Sequence, residues 1–414
     1  MKFIHCSDIH LDSPLQGLEA YESAPIKEIR SATRRAFENM IKLCMEEEVN
    51  FLIISGDLYD GDWKDFNTGL FFIQQMSLLR ERGIQVFIVH GNHDAQSRIT
   101  KRLRLPDNVT QLRTLNPETI LMEDIKVAIH GQSFLKAAEL KNLAKNYPKP
   151  ANGYFNIGIL HTSVNGREGH ENYAPCSQEE LAIKGYDYWA LGHIHKREVL
   201  NENPYILFPG CLQGRHIKET GPKGCTILEL RDGKLLSAEH RAVDVLRWQN
   251  ITIDANQTSN LDELLDLVEK TIHEEIEKAE ERFLAIRFNL EGNCKNDEAI
   301  TQNPELVKQQ IRGRAADIGA GVVWVEKVNI STRYLNEASL IGSEDALDEL
   351  NSVFTSLIED PAAIAEIQSE FSTLLSKLPP EIKETDDGIK PNNSDWMEKL
   401  IHDAMNLSVS KFKA

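Results

Sequence analysis

The chain has 414 residues, of which 41% are hydrophobic and 27% are charged, a mixture that excludes a disordered or fibrous protein. Its formal net charge of -18 argues against a protein that coats nucleic acid generally, because such binding rewards Lys and Arg. Residues 341–414 hold 15 acidic and 6 basic residues, a net charge of -9, which is half of the excess. The rest of the chain therefore carries less negative charge and would repel a polyanion far less.

The start of the chain and the cysteines indicate the compartment. The first residues run directly into a predicted strand, and no apolar stretch is long enough to span a bilayer. The six cysteines have no paired short spacing, so neither a zinc knuckle nor a disulfide framework is indicated, and reduced, buried thiols are expected. We therefore expect a cytoplasmic protein without membrane contact.

Residues 1–250 alternate short apolar runs with amphipathic stretches, the pattern of an α/β domain. A chain of this length favours one large domain of about 250 residues plus something smaller. The dipeptide Asp232-Gly233 predicts a closing hairpin. The predicted strands are 2–6, 51–55, 84–90, 126–131, 156–161, 187–191 and 224–230, and the predicted helices are 26–48 and 66–82.

The pattern changes after about Asn250, and residues 251–335 are predicted to form a small α+β module of strand, helix, strand, helix and strand. An apolar stripe at helical spacing runs from Leu261 to Phe283, and Ser259 followed by Asp262 resembles a capping pair. Strands are predicted at 284–290 and 322–330. Residues 336–414 read as an acidic tail of short amphipathic helices interrupted by prolines.

Polar residues follow several predicted strands in four short motifs. His161 also follows a strand, and Gly192 permits the turn that aims the two histidines after it. Ligands of α/β sheets collect beyond the carboxyl ends of the strands, so these side chains are expected to form one site. An isolated Asp-x-His triplet arises by chance, whereas the ordered set is specific. The motifs are Asp8-Ile9-His10, Gly56-Asp57-Leu58-Tyr59-Asp60, Gly91-Asn92-His93-Asp94 and Gly192-His193-Ile194-His195.

Carboxylate, imidazole and carboxamide together suit manganese, iron or zinc, and magnesium is less suited to so much nitrogen. Seven ligands are too many for one tetrahedral ion but suffice for two ions that share a carboxylate, which two-metal hydrolases hold roughly 3.5 to 4 Å apart. Asp57 is the best bridge. The assignment gives one metal Asp8, His10, Asp57 and His195, and the other Asp57, Asn92, His161 and His193.

These motifs resemble the signature of the calcineurin-like metallophosphoesterases over roughly residues 1–230. The resemblance implies a sandwich of two mixed sheets flanked by helices, here followed by a small α+β capping domain and a short helical tail. Gly91-Asn92-His93-Asp94, Ala190 to His195 and the following module are similar to SbcD-type DNA double-strand-break repair nucleases. Residues 172–176 and 212–216 resemble the bacterial YhaO exonuclease subgroup.

The resemblance implies that a water molecule activated by two metals, most suitably Mn²⁺, attacks phosphorus in line. His93 is next to a ligand without being needed as one, and we expect it to bind phosphate or protonate the leaving oxygen. Asp60 is then expected to orient His93, although an ordinary turn carboxylate is an open alternative. Some members of the repair-nuclease family have His in place of Asp60, so a catalytic histidine at that position does not transfer.

Two basic groups are candidates for contact with a nucleic-acid backbone. One follows the third motif, and the other lies near the mouth of the site by analogy with the family. A solvated helix face is an equally good explanation of the first group. The candidates are Arg98, Lys101, Arg102 and Arg104, and then Arg215 and Lys218 with their neighbours His216 and Lys223.

The favoured function is therefore a manganese-dependent nuclease acting on DNA ends, with the module at 251–335 capping the site and contacting the duplex. A small-molecule phosphodiesterase or phosphatase on the same scaffold is the first alternative. A non-catalytic DNA-end-binding subunit is the second, and the intact ligand set makes it the weakest. The resemblance also implies an SMC-like coiled-coil ATPase partner of the SbcC/YhaN type, docked through the acidic amphipathic segments from 345 to 378, and a possible homodimer. Packing of that segment on the chain itself is equally open.

Overall fold

The computed structural model of the chain describes residues 1–13, 25–60, 66–96, 104–164, 173–294, 300, 303–319, 321–334, 352–358 and 360–377, with scattered residues between 390 and 408. The chain separates into two compact units, one of Met1–Ile251, Ile272–Arg287 and Ala315–Lys327, the other of Thr252–Thr271, Phe288–Arg314 and Val328–Ala414. The division into 1–250, 251–335 and 336–414 made from the sequence stays a prediction, because these units interleave along the middle of the chain.

The described strands are β1 (Lys2–Cys6), β2 (Phe51–Ser55), β3 (Gln85–Val89), β4 (Val109–Gln111), β5 (Glu118–Met122), β6 (Val127–Gly131), β7 (Phe155–His161), β8 (Tyr188–Gly192), β9 (Glu198–Glu202), β10 (Tyr205–Phe208), β11 (Gly224–Arg231), β12 (Lys234–Ala242), β13 (Leu246–Asp254), β14 (Phe283–Cys294) and β15 (Val323–Tyr334). The described helices are α1 (Ile26–Glu46), α2 (Phe66–Glu81), α3 (Asn92–Gln96), α4 (Gln178–Ala182), α5 (Leu261–Ala279), α6 (Pro304–Gly319), α7 (352–358) and α8 (Pro361–Lys377).

Two six-stranded sheets form the larger part of the fold. The first sheet has the order β12-β11-β1-β2-β3-β4 and the second has β5-β6-β7-β8-β10-β9. Neighbours from β1 to β4 are parallel, as are β6 to β7, β7 to β8 and β8 to β10, while the outer pairs are antiparallel. Every residue of β2, β6, β7 and β8 is buried, as expected for parallel strands covered on both faces.

The core has three layers of apolar packing. Phe3 and Phe51 of the first sheet share one cluster with Ile157 and Tyr188 of the second, so the two sheets pack face to face. A second cluster joins the outer face of the first sheet to α1 and α2, and a third contains Trp189 and covers the outer face of the second sheet. The predicted two-sheet sandwich flanked by helices is confirmed.

The middle of the chain has the predicted order of strand, helix, strand, helix and strand, and β13, β14 and β15 form a three-stranded sheet in that order. Two details differ from the prediction. α5 ends at Ala279, because Glu280 and Glu281 have positive φ, and Phe283 begins β14 instead of closing the helix. The cap is Asn260, whose Oδ1 accepts the Glu263 N–H at 2.9 Å, so Ser259 lies one position too early.

Other outcomes concern single elements. Asp232 and Gly233 both have positive φ in the turn between β11 and β12, so the predicted hairpin is confirmed. The prediction missed β4, β5, β9 and β10, short strands with little apolar alternation. Cys6, Cys44, Cys176, Cys211 and Cys225 are free and buried. Among the described residues, no helix has the length and apolar character that crossing a membrane requires.

Candidate metal centre and active site

The predicted ligands lie where parallel strands end. Asp8 follows β1, Asp57 follows β2 and Asn92 follows β3 in the first sheet, while His161 is the last residue of β7 in the second. Gly192 ends β8, so His193 and His195 leave the second sheet beside it. The carboxyl edges of both sheets thus meet at one place, which is where α/β folds collect their ligands.

Four of the seven predicted ligands have left-handed backbone, which is uncommon for residues other than glycine. Their φ angles are 51° at Asp8, 45° at His10, 52° at Asp57 and 107° at His193. Backbone hydrogen bonds hold this geometry, since Asp8 N donates to Gly56 O at 3.0 Å and His10 N donates to Asp57 O at 3.0 Å. Such conformations cost about 1–3 kcal/mol each and occur mainly at functional sites.

Three glycines of the motifs permit a close approach that no other residue allows. A Cβ at Gly91 would lie 2.3 Å from Asp57 Oδ1, and one at Gly192 would lie 1.9 Å from Ser55 O. A Cβ at Gly56 would lie 2.3 Å from the His161 Nδ1 atom. The glycines of these motifs are therefore required by packing around the ligands, besides the freedom they give the turns.

The first ligand group brings together His10 and His195 from opposite sheets. Their Nε2 atoms are 3.3 Å apart, and His195 Nε2 lies 3.7 Å from Asp8 Oδ1. Asp57 Oδ2 is 4.0 Å from His10 Nε2. Two imidazole nitrogens facing each other beside two carboxylates form the donor set of one cation site, as the sequence predicted for the first metal.

The second ligand group surrounds His161. Its Nε2 lies 3.4 Å from Asp57 Oδ2 and 3.0 Å from Asn92 Oδ1. The ring of His193 packs edge to face with that of His161, with 5.3 Å between their centroids. Asp57 Oδ2 therefore lies within 4.0 Å of a histidine nitrogen in each group, which suits a bridging carboxylate, and Asp8 also lies near both groups.

The electrostatics of the groups fit divalent cations. Burial would raise the pKa of Asp57, but His161 outweighs it and holds the Asp57 pKa below its usual range. Burial lowers the pKa of His161, and the Asp57 carboxylate more than offsets this and raises it to about 9. Burial, followed by the charge of Arg215, lowers the pKa of His10 to about 4. Buried carboxylates beside imidazole nitrogens would provide the ligand chemistry of two divalent ions.

Neighbouring acceptors orient the imidazoles. His161 Nδ1 donates to Ser55 O at 3.0 Å, and His195 Nδ1 lies 2.5 Å from Glu219 Oε1. Each bond directs Nε2 into the site, because metal-ligating histidines usually donate their other N–H to a carboxylate or a carbonyl. Sequence reasoning missed Glu219. The one available signal was its place in the segment after the basic residues of 215–218, and that signal is weak.

His93 and Asp60 form a pair beside the first ligand group. His93 Nδ1 is 2.6 Å from Asp60 Oδ1, and the rings of His93 and His10 have centroids 4.9 Å apart. The hydrogen bond to Asp60 raises the pKa of His93. The His93 side chain is 40% exposed, so it can meet a substrate, whereas the seven ligands are more enclosed. Asp60 thus contacts His93 as predicted for an orienting carboxylate.

Asp94 shapes the turn that places Asn92 and His93. It is buried, and its carboxylate accepts the backbone N–H of Tyr59 at 2.9 Å and of Gly91 at 3.1 Å. His93 N donates to Asp57 Oδ1 at 3.0 Å. The second and third motifs are therefore fastened to each other through these bonds.

The residues predicted to contact nucleic acid differ from one another in their exposure, and three of them are not described by the structure. Arg98, Lys101 and Arg102 lie outside the described residues, and Arg104 and Lys218 are exposed. Arg215 is inside the site, with a side chain only 15% exposed that forms ion pairs with Asp60 and Glu219. Arg215 is therefore enclosed by side chains of the site, whereas a cation that contacts a DNA backbone would lie on an open surface.

Comparison with known proteins agrees with this geometry. The family model of the calcineurin-like phosphoesterases matches residues 1–197, and that of the middle domain of the metallophosphoesterase YhaO matches residues 248–333. The uncharacterized metallophosphoesterase YhaO of Bacillus subtilis is 36% identical over 298 residues, covering 71% of this chain and 72% of that one. The DNA double-strand break repair protein Mre11 of Methanopyrus kandleri is 24% identical, covering 56% of this chain and 51% of its own.

A solved dimetal phosphatase from Danio rerio is 9% identical, covers 56% of this chain and 93% of its own, and has a TM-score of 0.34, too low to add to the assignment. The identity to YhaO over most of both chains is sufficient by itself, and the site described above contains the signature residues in one place. The chain belongs to the calcineurin-like metallophosphoesterases, within them to the YhaO family, and it is an enzyme that hydrolyses phosphodiester bonds.

Proposed function

We propose that this enzyme is a metal-dependent DNA nuclease that acts at DNA ends. The observation that carries the proposal is the convergence of seven ligands from two sheets beside the His93–Asp60 pair, which is an arrangement for phosphodiester hydrolysis. The similarity to proteins named DNA double-strand break repair protein Mre11 favours DNA as the substrate. The residues that match the YhaO middle-domain model, 248–333, would contact duplex.

The ligand set favours manganese, because it mixes carboxylate oxygen, carboxamide oxygen and imidazole nitrogen without thiolate. Asp8, His10, Asp57 and His195 would hold one ion, and Asp57, Asn92, His161 and His193 the other. Two bound cations would supply an activated water molecule and positive charge opposite the phosphate oxygens. The chain positions these ligands through Ser55, Glu219 and the backbone bonds of the motifs.

His93 is the residue that we assign to the leaving group or the phosphate. Its Nδ1 is bonded to Asp60, so its Nε2 is the ring nitrogen directed away from that carboxylate. A protonated His93 donates from Nε2 to a phosphate oxygen or to the oxygen that leaves. Asp60 holds the ring in place and favours its protonated form.

One observation favours the alternative of a small phosphodiester or phosphate monoester as substrate. The formal net charge is -18, and association with DNA is weakened by repulsion of a polyanion unless basic surface is concentrated near the site. Half of the negative excess lies in residues 341–414, however, and salt screening reduces the effect of exposed charges.

The proposed partner is an SMC-like coiled-coil ATPase of the SbcC/YhaN type, bound by an amphipathic segment of the tail. Helix α8 lies in this segment, and Phe371 on it packs edge to face with Trp396 at 5.6 Å between centroids. Residues 345–351 lie outside the described part of the chain. A homodimer and a cytoplasmic location are further proposals. Loss of co-purification with such an ATPase after removal of residues 341–414, with metal-dependent cleavage retained, is the expected result, and unchanged co-purification contradicts the docking role.

The function is tested by incubating the protein and MnCl₂ with linear duplex, single-stranded and circular DNA, and in parallel with bis(p-nitrophenyl) phosphate. We expect Mn²⁺-dependent cleavage of the reporter and of linear DNA, with circular DNA resistant. Asp57→Ala is the matched control for a contaminating nuclease and is expected to cleave neither substrate. Reporter hydrolysis without cleavage of any DNA would replace the nuclease by the small-molecule phosphodiesterase.

A further inference from the structure

Arg215 lies in the loop between β10 and β11, and its sequence context suggests a cation that tracks DNA. The preceding Gly214 permits a tight turn there, because a Cβ at Gly214 would lie 2.7 Å from Glu219 O. The turn directs the Arg215 side chain into the site, where it is 15% exposed. A side chain so enclosed has limited access to a duplex backbone.

The guanidinium of Arg215 binds the far side of the Asp60 carboxylate. Its Nη1 donates to Asp60 Oδ2 at 3.4 Å and to Ser13 Oγ at 3.2 Å, and the Ser13 hydroxyl donates to the same Oδ2. The other oxygen, Oδ1, receives the His93 Nδ1 at 2.6 Å. The two oxygens of Asp60 are thus divided between two groups of donors, and this fixes the plane of the carboxylate and the angle at which it holds His93.

Glu219 holds Arg215 in turn. The Arg215 backbone N–H donates to Glu219 Oε2 at 2.7 Å, and Nη2 lies 3.8 Å from Glu219 Oε1. The positive charge of Arg215 therefore faces two carboxylates inside the site. Little of that charge remains for a DNA phosphate, which makes a direct backbone contact a poor explanation of this residue.

We infer that Arg215 is a positioning residue, which together with Ser13 holds Asp60 and through it sets the orientation of His93. The inference rests on the proposed role of His93 and goes beyond it by naming the residues that hold the pair. It also removes Arg215 from the predicted DNA contacts. A displacement of His93 by a fraction of its hydrogen-bond length slows the chemical step without weakening the binding of substrate.

The test compares Arg215→Met with Arg231→Met, which removes the same charge from an exposed residue at the end of β11. With Mn²⁺ and bis(p-nitrophenyl) phosphate, Arg215→Met is expected to lower kcat by about 10- to 100-fold with KM unchanged, since misorientation of a catalytic group by ~1 Å costs about 100-fold. The metal content by elemental analysis should equal that of the wild type, and Arg231→Met should match the wild type in every measurement. A raised KM, or a reduced salt slope of DNA binding at unchanged kcat, would assign Arg215 to substrate contact and overturn the inference.

A double variant separates action through His93 from direct action. In a His93→Gln background, Arg215→Met is expected to lower kcat by less than about a further 3-fold, because the effects of substitutions in residues that act as one unit are not additive. A further loss as large as in the wild-type background contradicts the inference. Ser13→Ala provides a second route if Arg215→Met does not fold. It removes the other donor to Asp60 Oδ2, and its loss in kcat should be smaller and should also disappear in the His93→Gln background.

The phosphodiester reporter separates failure of the proposed function from failure of the inference about Arg215. A protein that cleaves the reporter but no DNA contradicts the proposed nuclease, while the comparison of Arg215 variants proceeds unchanged. Normal kcat in His93→Gln contradicts the role of His93 in the proposed function and, with it, the inference. Normal kcat in Arg215→Met with reduced kcat in His93→Gln contradicts the inference alone.

Discussion

The two sheets contribute different halves of the active site. The first sheet supplies both carboxylates, the carboxamide and one imidazole, from Asp8, His10, Asp57 and Asn92, and three of these four have left-handed backbone. The second sheet supplies only imidazoles, and His161 is still within a regular strand. The carboxylate charge that would attract metals therefore comes from loops of the first sheet, whereas the second sheet contributes imidazoles, of which His161 and His195 are oriented by Ser55 and Glu219. Substitutions that remove the charge of a ligand and substitutions that misorient a ligand should therefore have separable effects on metal binding and kcat.

Asp57→Ala is expected to have the largest effect, because Asp57 Oδ2 lies 4.0 Å from His10 Nε2 in one ligand group and 3.4 Å from His161 Nε2 in the other. Both metals should be lost and hydrolysis of a phosphodiester reporter should fall to background, by roughly 10³-fold or more, since metals supply most of the charge stabilisation. Isothermal titration with MnCl₂ measures the binding. Asp232→Asn is the matched control, because Asp232 has the same φ of 52° in an exposed hairpin where Asn is tolerated. Retention of two tight sites in Asp57→Ala would contradict the bridging role.

His93→Gln tests the catalytic residue that the first sheet adds to its ligands. We expect kcat to fall by about 10²–10⁴-fold, the usual contribution of a general acid, with both metals retained. Metal content and kcat measured on the same preparation separate chemistry from ligation. His273→Gln on α5 is the control, since this histidine is exposed and belongs to none of the ligand groups. Near-normal hydrolysis in His93→Gln would show that the pair with Asp60 is structural.

Glu219→Gln tests orientation in the second half of the site. The substitution keeps the shape of the side chain but removes the charge that His195 and Arg215 face, and we expect metal affinity or kcat to fall by about 10- to 100-fold. Glu229→Gln, at a half-buried position of β11 outside the ligand groups, is the control. The asymmetry between the sheets predicts that Glu219→Gln reduces metal affinity and kcat less than Asp57→Ala does. An equal or larger reduction would show that the orientation of the ligands matters as much as their charge.

Metal binding should also stabilise the fold, because each ion would join ligands of both sheets. At about 100 times the dissociation constant, a ligand of the folded state contributes about 2.7 kcal/mol. For a domain of this size that corresponds to a rise in Tm of roughly 5–10 °C. Thermal denaturation with MnCl₂ and with EDTA measures it, and Asp57→Ala should show no difference between the two. The same rise in Asp57→Ala would place the stabilising metal elsewhere.

The candidate ligands could be chosen from the sequence because ligand spacing and strand ends are local features. The runs that became β1, β2 and β7 are continuous and apolar, so their boundaries and the polar residues after them are legible. The parallel arrangement then brings these ends together. The number and chemistry of the ligands supplied their grouping into two metals, and that grouping stays a prediction.

Two kinds of structural feature could not be predicted from the sequence. The left-handed backbone of Asp8 and His10 carries no glycine signal, because tertiary hydrogen bonds to the loop after β2 impose it. Glu219 and Arg215 act through partners 24 and 155 positions away, so no local pattern reveals them. Short strands such as β4 were missed because pairing to a neighbour, more than local preference, makes them strands.

The division of the ligands between two sheets also determines when the site can form. His10 and His195 face each other across 185 positions of chain, and Asp8 accepts the backbone N–H of His193 across the same separation. Contacts of such long range form late in folding, because the closure of a long loop precedes them. During synthesis, strands β1 to β3 and the carboxylates that follow them would emerge before β7 and β8, at whose ends three of the four histidine ligands lie. Metal capture would then wait for the second sheet, so a nascent or truncated chain would have no means of cleaving phosphodiesters before it is folded.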